Sequence, residues 1–360
     1  MLFEPIPKER REDLFNFEGE VDRIVAGLRD PLTRMIVLKG LRRTGKSSIL
    51  RVALNEARLN YVLIDMREFE DIDRRVFSLE LSETLDGIIR GRRRAIVERI
   101  KAVSFVGMKI ELGRRETEPT IMYKFILRRI NDWAERRKTY FVIAIDEAQE
   151  IAKINFDRYL AFVYDNLRHI KILLTGSQVG VLSNILDNPK KPLFGRARVD
   201  IDTRYLTREE ALEFLTLGFK EAGIKMDNKT LEYVVNRLGG VAGWLTLFGW
   251  HVMKGKTVEE ALEKTLELGI KTALEEFQNF LETRGTGKRR YTEVMKILAE
   301  GQKRWKEIKT LLEIRLGRNI PNNQISKYLS ELRKYGFIIK RNNKYLIPDP
   351  ILRRGIIDRY

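Results

Sequence analysis

Cysteine is absent from this 360-residue chain, and histidine occurs only twice. The absence of cysteine excludes disulfides, thiolate catalysis and zinc sites with cysteine ligands. His169 and His251 are the only side chains that could act as imidazole bases or imidazole ligands, and a surface or packing role explains each of them more simply. Enzyme classes that depend on a cysteine or on a histidine cluster are therefore not expected.

Long apolar runs are also missing. No stretch approaches the roughly 18 residues that span a bilayer. No apolar segment follows the charged N-terminal residues, as a secretory signal would require. We therefore expect a cytoplasmic protein without a membrane partner. Hydrophobic residues make up 43% of the chain, which is enough for two or three domains with cores of their own.

Charge is distributed unevenly along the chain. Residues 288–360 carry 19 Lys and Arg against 7 Asp and Glu, so that +12 of the formal net charge of +17 lies in the last fifth of the sequence. An excess of positive charge confined to one segment is typical of a nucleic-acid surface. A solvated basic face without a partner is the alternative interpretation.

The strongest chemical motif lies in residues 35–50, MIVLKGLRRTGKSSIL. An aliphatic strand pattern leads into the sequence GxxxxGK[ST], and a helical pattern follows, which is the context of a phosphate-binding loop. Its lysine would reach the β- and γ-phosphates of a nucleotide, and its serine hydroxyl would ligate Mg²⁺. The residues predicted to contact the nucleotide are Gly40, Leu41, Arg42, Arg43, Thr44, Gly45, Lys46, Ser47 and Ser48.

A second motif, YFVIAIDEAQE, occupies residues 140–150. Its apolar run predicts a central parallel strand that is buried on both faces and ends at the ligand-binding edge of the sheet. Asp146 is placed to hold Mg²⁺, and Glu147 is placed to orient and deprotonate an attacking water. Because adjacent buried carboxylates are costly without a compensating cation or donors, this pair favours nucleotide hydrolysis.

Two further positions are candidates for the same site. An apolar strand pattern at residues 170–174 runs into TGSQ, and we predict that Ser177 holds the attacking water or senses the γ-phosphate. A plain loop start is the alternative. In the loop PKKPLFGRAR, Arg196 or Arg198 could act as an arginine finger, in its own chain or in a neighbouring copy. Both could equally be surface cations.

The rest of the chain is read mainly as helices. Helical patterns cover residues 21–28, 76–100 and 122–133, and one or two short strands are predicted within 103–111. A basic run lies at residues 90–94, where a solvated helix end or an acidic partner would explain it. Thr207 and Glu210 predict a capping box that opens an all-helical lid.

The last segment predicts a winged helix. Three helical patterns at residues 291–298, 305–316 and 324–335 precede strands at 337–339 and 344–347. Winged helices also bind proteins, so the fold alone does not establish DNA binding. The side chains predicted to face base edges or phosphates are Asn322, Asn323, Gln324, Lys327, Ser330, Arg333 and Lys334, with Lys340, Arg341 and Lys344 in the wing.

These motifs together resemble the archaeal ATPase family of the AAA+ and STAND-like P-loop proteins, which is related to origin-binding and helicase-loader ATPases. The segments that carry the resemblance, over about residues 13–355, are GLRRTGKS, IAIDEAQ, LLTGSQ, PLFGRA, LTREEALEFL and GGVAGWL. The resemblance implies an α/β AAA+ core with a parallel sheet and helices on both faces, then a helical lid and a C-terminal winged helix. We place these domains at residues 1–202, 203–285 and 286–360. The family pattern also puts residues 17–22, with Phe17 and Gly19, near the adenine base.

The function predicted from these features is Mg²⁺-dependent binding and hydrolysis of ATP to ADP. The ATPase would act as a conformational switch or as a DNA-associated motor or loader, with double-stranded DNA bound through residues 288–360. The alternative is a STAND-type signalling or assembly ATPase whose winged helix binds protein. An arginine finger that acts in trans would additionally require a homo-oligomer.

Overall fold

The structure is a computed structural model that describes residues 1–69, 95–97 and 119–360. The short strands predicted within residues 103–111 and the basic run at 90–94 lie outside the described residues. Within the described ranges, none of the helices combines the length and the apolar character that a membrane crossing needs.

A sheet of six parallel strands forms the centre of the first part of the chain. The strand order is β3-β2-β4-β5-β1-β6, so that β5 separates the strand before the phosphate loop from the strand that carries the acidic pair. The strands are β1 (Met35–Lys39), β2 (Asn60–Asp65), β3 (Ala95–Val97), β4 (Phe141–Asp146), β5 (Ile170–Gly176) and β6 (Val199–Asp202).

Helices cover both faces of this sheet. On one face lie α1 (Glu18–Arg29) and α2 (Lys46–Ala57), and on the other lie α3 (Pro119–Arg136), α4 (Asp157–Asn166) and α5 (Val179–Asp187). Each face of the sheet has its own hydrophobic core, and alternate residues of β1 pack into one or the other. Ile36 and Leu38 lie in the core beneath α1 and α2, and Met35 and Val37 lie in the core on the opposite face. The predicted α/β fold with a doubly covered parallel sheet is confirmed.

The helical prediction for residues 76–100 is wrong at residues 95–97, and its other residues lie outside the described ones. Residues Ala95, Ile96 and Val97 form β3 and pair in parallel with residues 62–64 of β2. Two of the three residues are β-branched, which favours a strand, and the open edge of β2 supplies the hydrogen-bond partners that a short strand needs. The pairing partner is distant in sequence, so a local periodicity could not reveal it.

Four helices follow the sheet: α6 (Arg208–Glu221), α7 (Asn228–Leu238), α8 (Ala242–Met253) and α9 (Val258–Glu282). The predicted capping box at the start of α6 is confirmed, because the Glu210 N–H donates to Thr207 Oγ1 at 3.2 Å and the Thr207 N–H donates to Glu210 Oε2 at 2.7 Å. Apolar residues of α6, α7 and α8 pack in the same core as α1 and α2. The lid is therefore joined to one face of the sheet.

The C-terminal part has the predicted winged-helix order. Its strands form an antiparallel sheet in the order β7-β9-β8. Neither β7 nor α13 is indicated by the sequence patterns described above, although the pair Asp349–Pro350 is a helix-start signal. The elements are α10 (Lys288–Ala299), β7 (Lys303–Arg304), α11 (Trp305–Leu316), α12 (Asn322–Lys334), β8 (Ile339–Arg341), β9 (Lys344–Leu346) and α13 (Pro350–Arg359).

The wing differs from the prediction in its register. Strand β8 begins at Ile339 rather than at Phe337, since Phe337 and Ile338 are buried in the core of the winged helix before the strand starts. The turn consists of Asn342 and Asn343, which have φ of 49° and 59°, a conformation that asparagine tolerates better than most residues. The first strand of the hairpin therefore begins later than predicted, and the turn between the two strands is shorter.

Helix α9 connects the lid to the winged helix. Its early residues Ala261 and Leu262 pack in the core shared with the lid, whereas Phe277, Phe280 and Leu281 pack in the core of the winged helix. The predicted division near residue 285 thus falls just after a helix that belongs to both cores. The domain boundaries themselves stay predictions.

A buried carboxylate links the lid to the start of α13. Asp349 accepts hydrogen bonds from Trp244 Nε1 at 3.1 Å and from the Ile351 N–H at 2.9 Å, so it caps α13 and satisfies the indole of α8. Burial raises the pKa of Asp349, while the hydrogen bond from Trp244 and the charge of Arg43 oppose that rise.

We expect Asp349→Ala to lower the free energy of unfolding by about 1–3 kcal/mol, because it removes a helix cap and leaves a buried indole N–H without an acceptor. Chemical denaturation followed by circular dichroism measures the change. Asp349→Asn, which keeps an oxygen at the cap, should cost less, and Asp358→Ala, on the exposed side of the same helix, should be close to neutral. Equal stability of Asp349→Ala and the wild type would contradict the assignment.

Candidate active site

The phosphate loop is shaped by its two glycines. A Cβ on Gly40 would lie 2.0 Å from Thr203 Oγ1 and 2.7 Å from the Thr203 carbonyl oxygen, so only glycine fits between β1 and the residue that follows β6. Gly45 has φ of +89° at the N-cap of α2, a conformation that L side chains rarely adopt. Thr44 and Thr203 share a hydrogen bond of 2.7 Å, which ties the loop to the end of the sheet.

Lys46 lies on the first turn of α2 and is 5% exposed. Its Nζ donates to the Leu41 carbonyl oxygen at 2.6 Å, so the side chain folds back over the loop. Burial lowers the pKa of Lys46 to about 8, and the charges of Glu147 and Asp146 oppose that fall. The ammonium group is therefore held inside the loop, where it is poised for an anion.

Ser47 joins the phosphate loop to the acidic strand. Its hydroxyl donates to Asp146 Oδ2 at 2.6 Å. The other oxygen of Asp146 accepts hydrogen bonds from the Thr175 hydroxyl and from the Glu147 N–H. A hydroxyl and a carboxylate at this separation are the hard oxygen donors that Mg²⁺ prefers, so the two residues fit the predicted magnesium ion.

Glu147 follows the acidic strand with φ of 51°. Its Oε2 accepts hydrogen bonds from Ser177 Oγ at 2.7 Å, from the Ser177 N–H at 3.3 Å and from Gln149 Nε2 at 2.5 Å. Burial acts to raise the pKa of Glu147, but the charge of Lys46 and these hydrogen bonds outweigh it, so the net direction is downward. The carboxylate is thus held ionised beside the phosphate loop.

Ser177 therefore lies against the catalytic carboxylate candidate, and its predicted role with the attacking water or the γ-phosphate stays a prediction. Gln149 was not predicted, although its amide sits two residues after Glu147 in the motif DEAQ. It is 6% exposed, and a Cβ on Gly176 would come within 2.8 Å of its Oε1. Its place two residues after Glu147, within the motif, is the sequence signal that could have identified it.

The two candidate finger arginines are engaged elsewhere in their own chain. Arg196 pairs with Asp165 of α4 through Nε at 3.1 Å and through Nη2 at 2.5 Å, while its Nη1 donates to the Pro192 carbonyl oxygen. Arg198 pairs with Asp187 at 2.6 Å and with Asp200 at 3.2 Å. Within the described residues, the hydrogen bonds and ion pairs of these arginines do not reach the phosphate loop or the acidic pair. Their role as fingers stays a prediction.

The residues predicted to lie near the base occupy the start of α1. Phe17 is the N-cap of α1 with φ of 68°, and its ring is 5% exposed in the core beneath α1 and α2. A Cβ on Gly19 would meet no atom within 4 Å. The Ser48 hydroxyl accepts a hydrogen bond from the Lys8 N–H at 3.0 Å, so the N-terminal segment lies beside the start of α2. The base-contact assignment stays a prediction.

The fold and these motifs together define a P-loop ATPase. Residues 14–248 match the model of an ATPase domain predominantly from Archaea, and residues 286–347 match the model of the MCM protein C-terminal winged helix-turn-helix domain. Since the first match covers more than half of the sequence, the chain belongs to this archaeal ATPase-domain family. The family resemblance and the ATPase class are confirmed.

Solved structures with a similar fold include archaeal proteins. A Walker-type ATPase of Pyrococcus abyssi is 29% identical with a TM-score of 0.81, and the match covers 99% of this chain and 100% of that one. The ORC2 protein of Aeropyrum pernix, in ADPNP–ADP complexes, is 13% identical with a TM-score of 0.62, covering 99% and 96%. At that identity the second protein shows the fold alone. No match was found among curated proteins.

We expect Gly40→Ala to lower the free energy of unfolding by about 1–3 kcal/mol, because the added methyl group would overlap Thr203 and push the phosphate loop away from β6. Denaturant titration measures this loss. Gly19→Ala is the matched control, since it adds the same group to an open position of α1 and should be neutral or slightly stabilising. A Gly40→Ala protein as stable as Gly19→Ala would show that the close contact is not as described.

Proposed function

We propose that this ATPase is a Mg²⁺-dependent switch whose ATP cycle is coupled to a DNA-binding winged helix. The observation that carries the proposal is the 2.6 Å hydrogen bond between Ser47 and Asp146, which brings the phosphate loop and the acidic strand into one site. Lys46 and Glu147 are the sequence neighbours of Ser47 and Asp146. Lys46 is buried, and Glu147 is partly buried.

The phosphate loop would hold the triphosphate. Backbone N–H groups of residues 40–48 and the N-terminus of α2 would surround the phosphates, and Lys46 would bind their terminal oxygens. Ser47 and Asp146 would hold Mg²⁺, which supplies charge neutralisation between the β- and γ-phosphates. We keep Phe17 and Gly19 as the proposed base-side residues, through the backbone at the start of α1.

Glu147 would activate the attacking water. Its Oε2 already accepts three hydrogen bonds from Ser177 and Gln149, which leaves Oε1 to take the water proton. Because both residues donate hydrogen bonds to the same oxygen, they fix the orientation of the Glu147 carboxylate. We propose Ser177 as the residue that positions this base and the water beside it.

Arg196 is proposed as a finger that acts on a neighbouring copy. In its own chain the guanidinium is bound to Asp165 on the surface of α4, away from the contacts that build the phosphate site. A finger in trans would require a homo-oligomer, since the arginine must then enter the site of another subunit.

The basic winged helix supplies the proposed DNA surface. Along α12, the exposed side chains include Asn322, Asn323, Lys327, Ser330 and Arg333, which recur at helical spacing on one face. In the wing, Lys340 and Arg341 are exposed as well. Gln324 and Lys334 are half-buried rather than exposed, and Gln324 accepts a hydrogen bond from Tyr328 at 3.1 Å, so we remove both from the proposed face.

The second candidate function is a STAND-type ATPase whose winged helix binds protein. It is supported by the three uncharged side chains among the seven of the proposed face, since uncharged polar side chains suit either partner. Salt dependence separates the two, since a DNA complex built on lysine and arginine contacts weakens steeply as salt rises.

We expect Glu147→Gln to lower the ATP turnover rate by about 100-fold or more, because the amide cannot accept the water proton. Lys46→Ala should lower it by a similar factor, since the phosphate loses its buried cation. A steady-state phosphate-release assay with Mg²⁺ measures both. Glu135→Gln, on the exposed end of α3, is the control that should keep normal turnover. Wild-type turnover in either site variant would overturn the role proposed for that residue.

We expect the full chain to bind duplex DNA at low salt and to lose about 100-fold in affinity between about 50 and about 200 mM salt, if about four cationic side chains contact phosphates. Fluorescence anisotropy with a labelled duplex measures this. The double variant Lys340→Glu, Arg341→Glu should bind weakly, whereas Lys220→Glu, Lys225→Glu, exposed in the lid, should bind nearly normally. Absence of binding at low salt would favour the protein partner.

A further inference from the structure

Two arginines inside the phosphate loop share a single carboxylate from a distant helix. Arg42 Nε lies 3.2 Å from Glu276 Oε2, and Arg43 Nη2 lies 2.7 Å from Glu276 Oε1. A second nitrogen of Arg43 donates to Glu276 Oε2 at 3.4 Å. All three side chains are less than one-third exposed, so the interaction is only partly screened by water.

One of these arginines, Arg42, also holds the winged helix against the loop. Arg42 Nη1 donates to the Tyr335 carbonyl oxygen at 2.7 Å, and its guanidinium lies 5.2 Å from the ring centre of Phe337. Between them, Gly336 has φ of +77°, and a Cβ there would lie 3.4 Å from both Leu41 Cδ2 and the Ser177 carbonyl oxygen. The turn that follows α12 therefore rests directly on the phosphate loop and on the residue beside Glu147.

The lid is connected to the other arginine, Arg43. The Arg43 guanidinium stacks on the Trp244 ring at 4.1 Å from its centre, and the Gly243 N–H donates to the Arg43 carbonyl oxygen at 3.1 Å. Trp244 in turn donates to Asp349 at the start of α13. Arg43 thus links the loop to the lid, while Arg42 links it to the winged helix.

Positive charge exceeds negative charge where Arg42 and Arg43 meet Glu276. Two guanidinium groups face one carboxylate, and both lie in the loop that receives the phosphates of ATP. Arginine binds phosphate in the same forked geometry that it uses for carboxylate, and a phosphate group carries more negative charge than Glu276 does. A triphosphate in the loop would therefore draw the arginines away from the carboxylate.

We propose that the carboxylate of Glu276 is a built-in competitor of the nucleotide phosphates for Arg42 and Arg43. Its contact with both arginines holds Arg42 in the position from which it also binds the Tyr335 carbonyl. Binding of ATP then frees the turn after α12, and docking of that turn weakens the binding of ATP by the same factor. This inference rests on the proposed ATP site.

The consequence extends to the C-terminal end of α12, next to the proposed DNA face. At the C-terminal end of α12, Lys334 packs so closely on α5 that a Cβ on Gly180 would lie 2.6 Å from its Cα. That end of the helix is covered while the winged helix is docked. Release of the Arg42 contact would uncover this end of α12, which couples the triphosphate to access beside Arg333 of the proposed DNA face.

The test compares Glu276→Gln with Glu275→Gln in the full chain. Glu275 is the preceding residue of the same helix and is exposed, so its variant removes the same charge without touching the arginines. The dissociation constant of a fluorescent, non-hydrolysable ATP analogue is measured with Mg²⁺. We expect Glu276→Gln to bind it about fivefold more tightly than wild type, a factor typical of a single partly screened charge pair, and Glu275→Gln to match the wild type.

A second measurement follows the docked turn itself. Hydrogen exchange at the backbone amides of residues 335–339 should speed up when the ATP analogue binds to wild type, and should be fast without nucleotide in Glu276→Gln. Slow exchange in both states of the wild type overturns the proposal even if the variant does not fold, and so does equal affinity of the two variants. A wild type that binds no nucleotide would instead overturn the ATP site.

Discussion

The Ser47–Asp146 hydrogen bond is the contact on which the site depends, and the strand order explains why it has to be made by side chains. Strands β1 and β4 are separated by β5, so the loop after β1 and the acids after β4 start about 10 Å apart. Ser47, on the first turn of α2, spans this gap with its hydrogen bond to Asp146. The Thr175 hydroxyl of β5 donates a second hydrogen bond to the same carboxylate. A change in strand order would leave the acidic pair and the phosphate loop apart.

That arrangement concentrates buried charge, which the protein compensates within the site. Lys46, Asp146 and Glu147 are each largely hidden from water, and burial disfavours the charged forms of Lys46 and Glu147. Their mutual attraction and the donors on Thr175, Ser177 and Gln149 offset part of that penalty. A ligand that brings phosphates and a divalent cation would compensate the rest of this buried charge. The cluster accordingly lies at the carboxyl ends of the parallel strands, where a ligand can bind.

The parts of this site that local sequence determines could be predicted, and the parts that depend on distant contacts could not. The phosphate loop and the acidic strand are each a short pattern in which one strand ends in polar residues, so the sequence indicates both, and the edge rule for parallel sheets adds Ser177. By contrast, β3 depends on pairing with β2, and Glu276 lies 233 residues from the arginine that it binds. The surroundings of Arg196 are set by Asp165 on another helix, which no loop pattern reveals.

The winged helix meets the rest of the chain through apolar cores and through a polar contact at the phosphate loop. Helix α9 has 25 residues and is therefore about 37 Å long, with one end in the core of the lid and the other in the core of the winged helix. The winged helix is thus held to α9 by a hydrophobic core, whereas it meets the phosphate loop mainly through the guanidinium of Arg42. Breaking a hydrophobic core costs far more than exchanging one charged contact for another, because the apolar surface would be exposed to water. In the proposed competition, nucleotide would control the polar contact while the core that joins the winged helix to α9 stays intact.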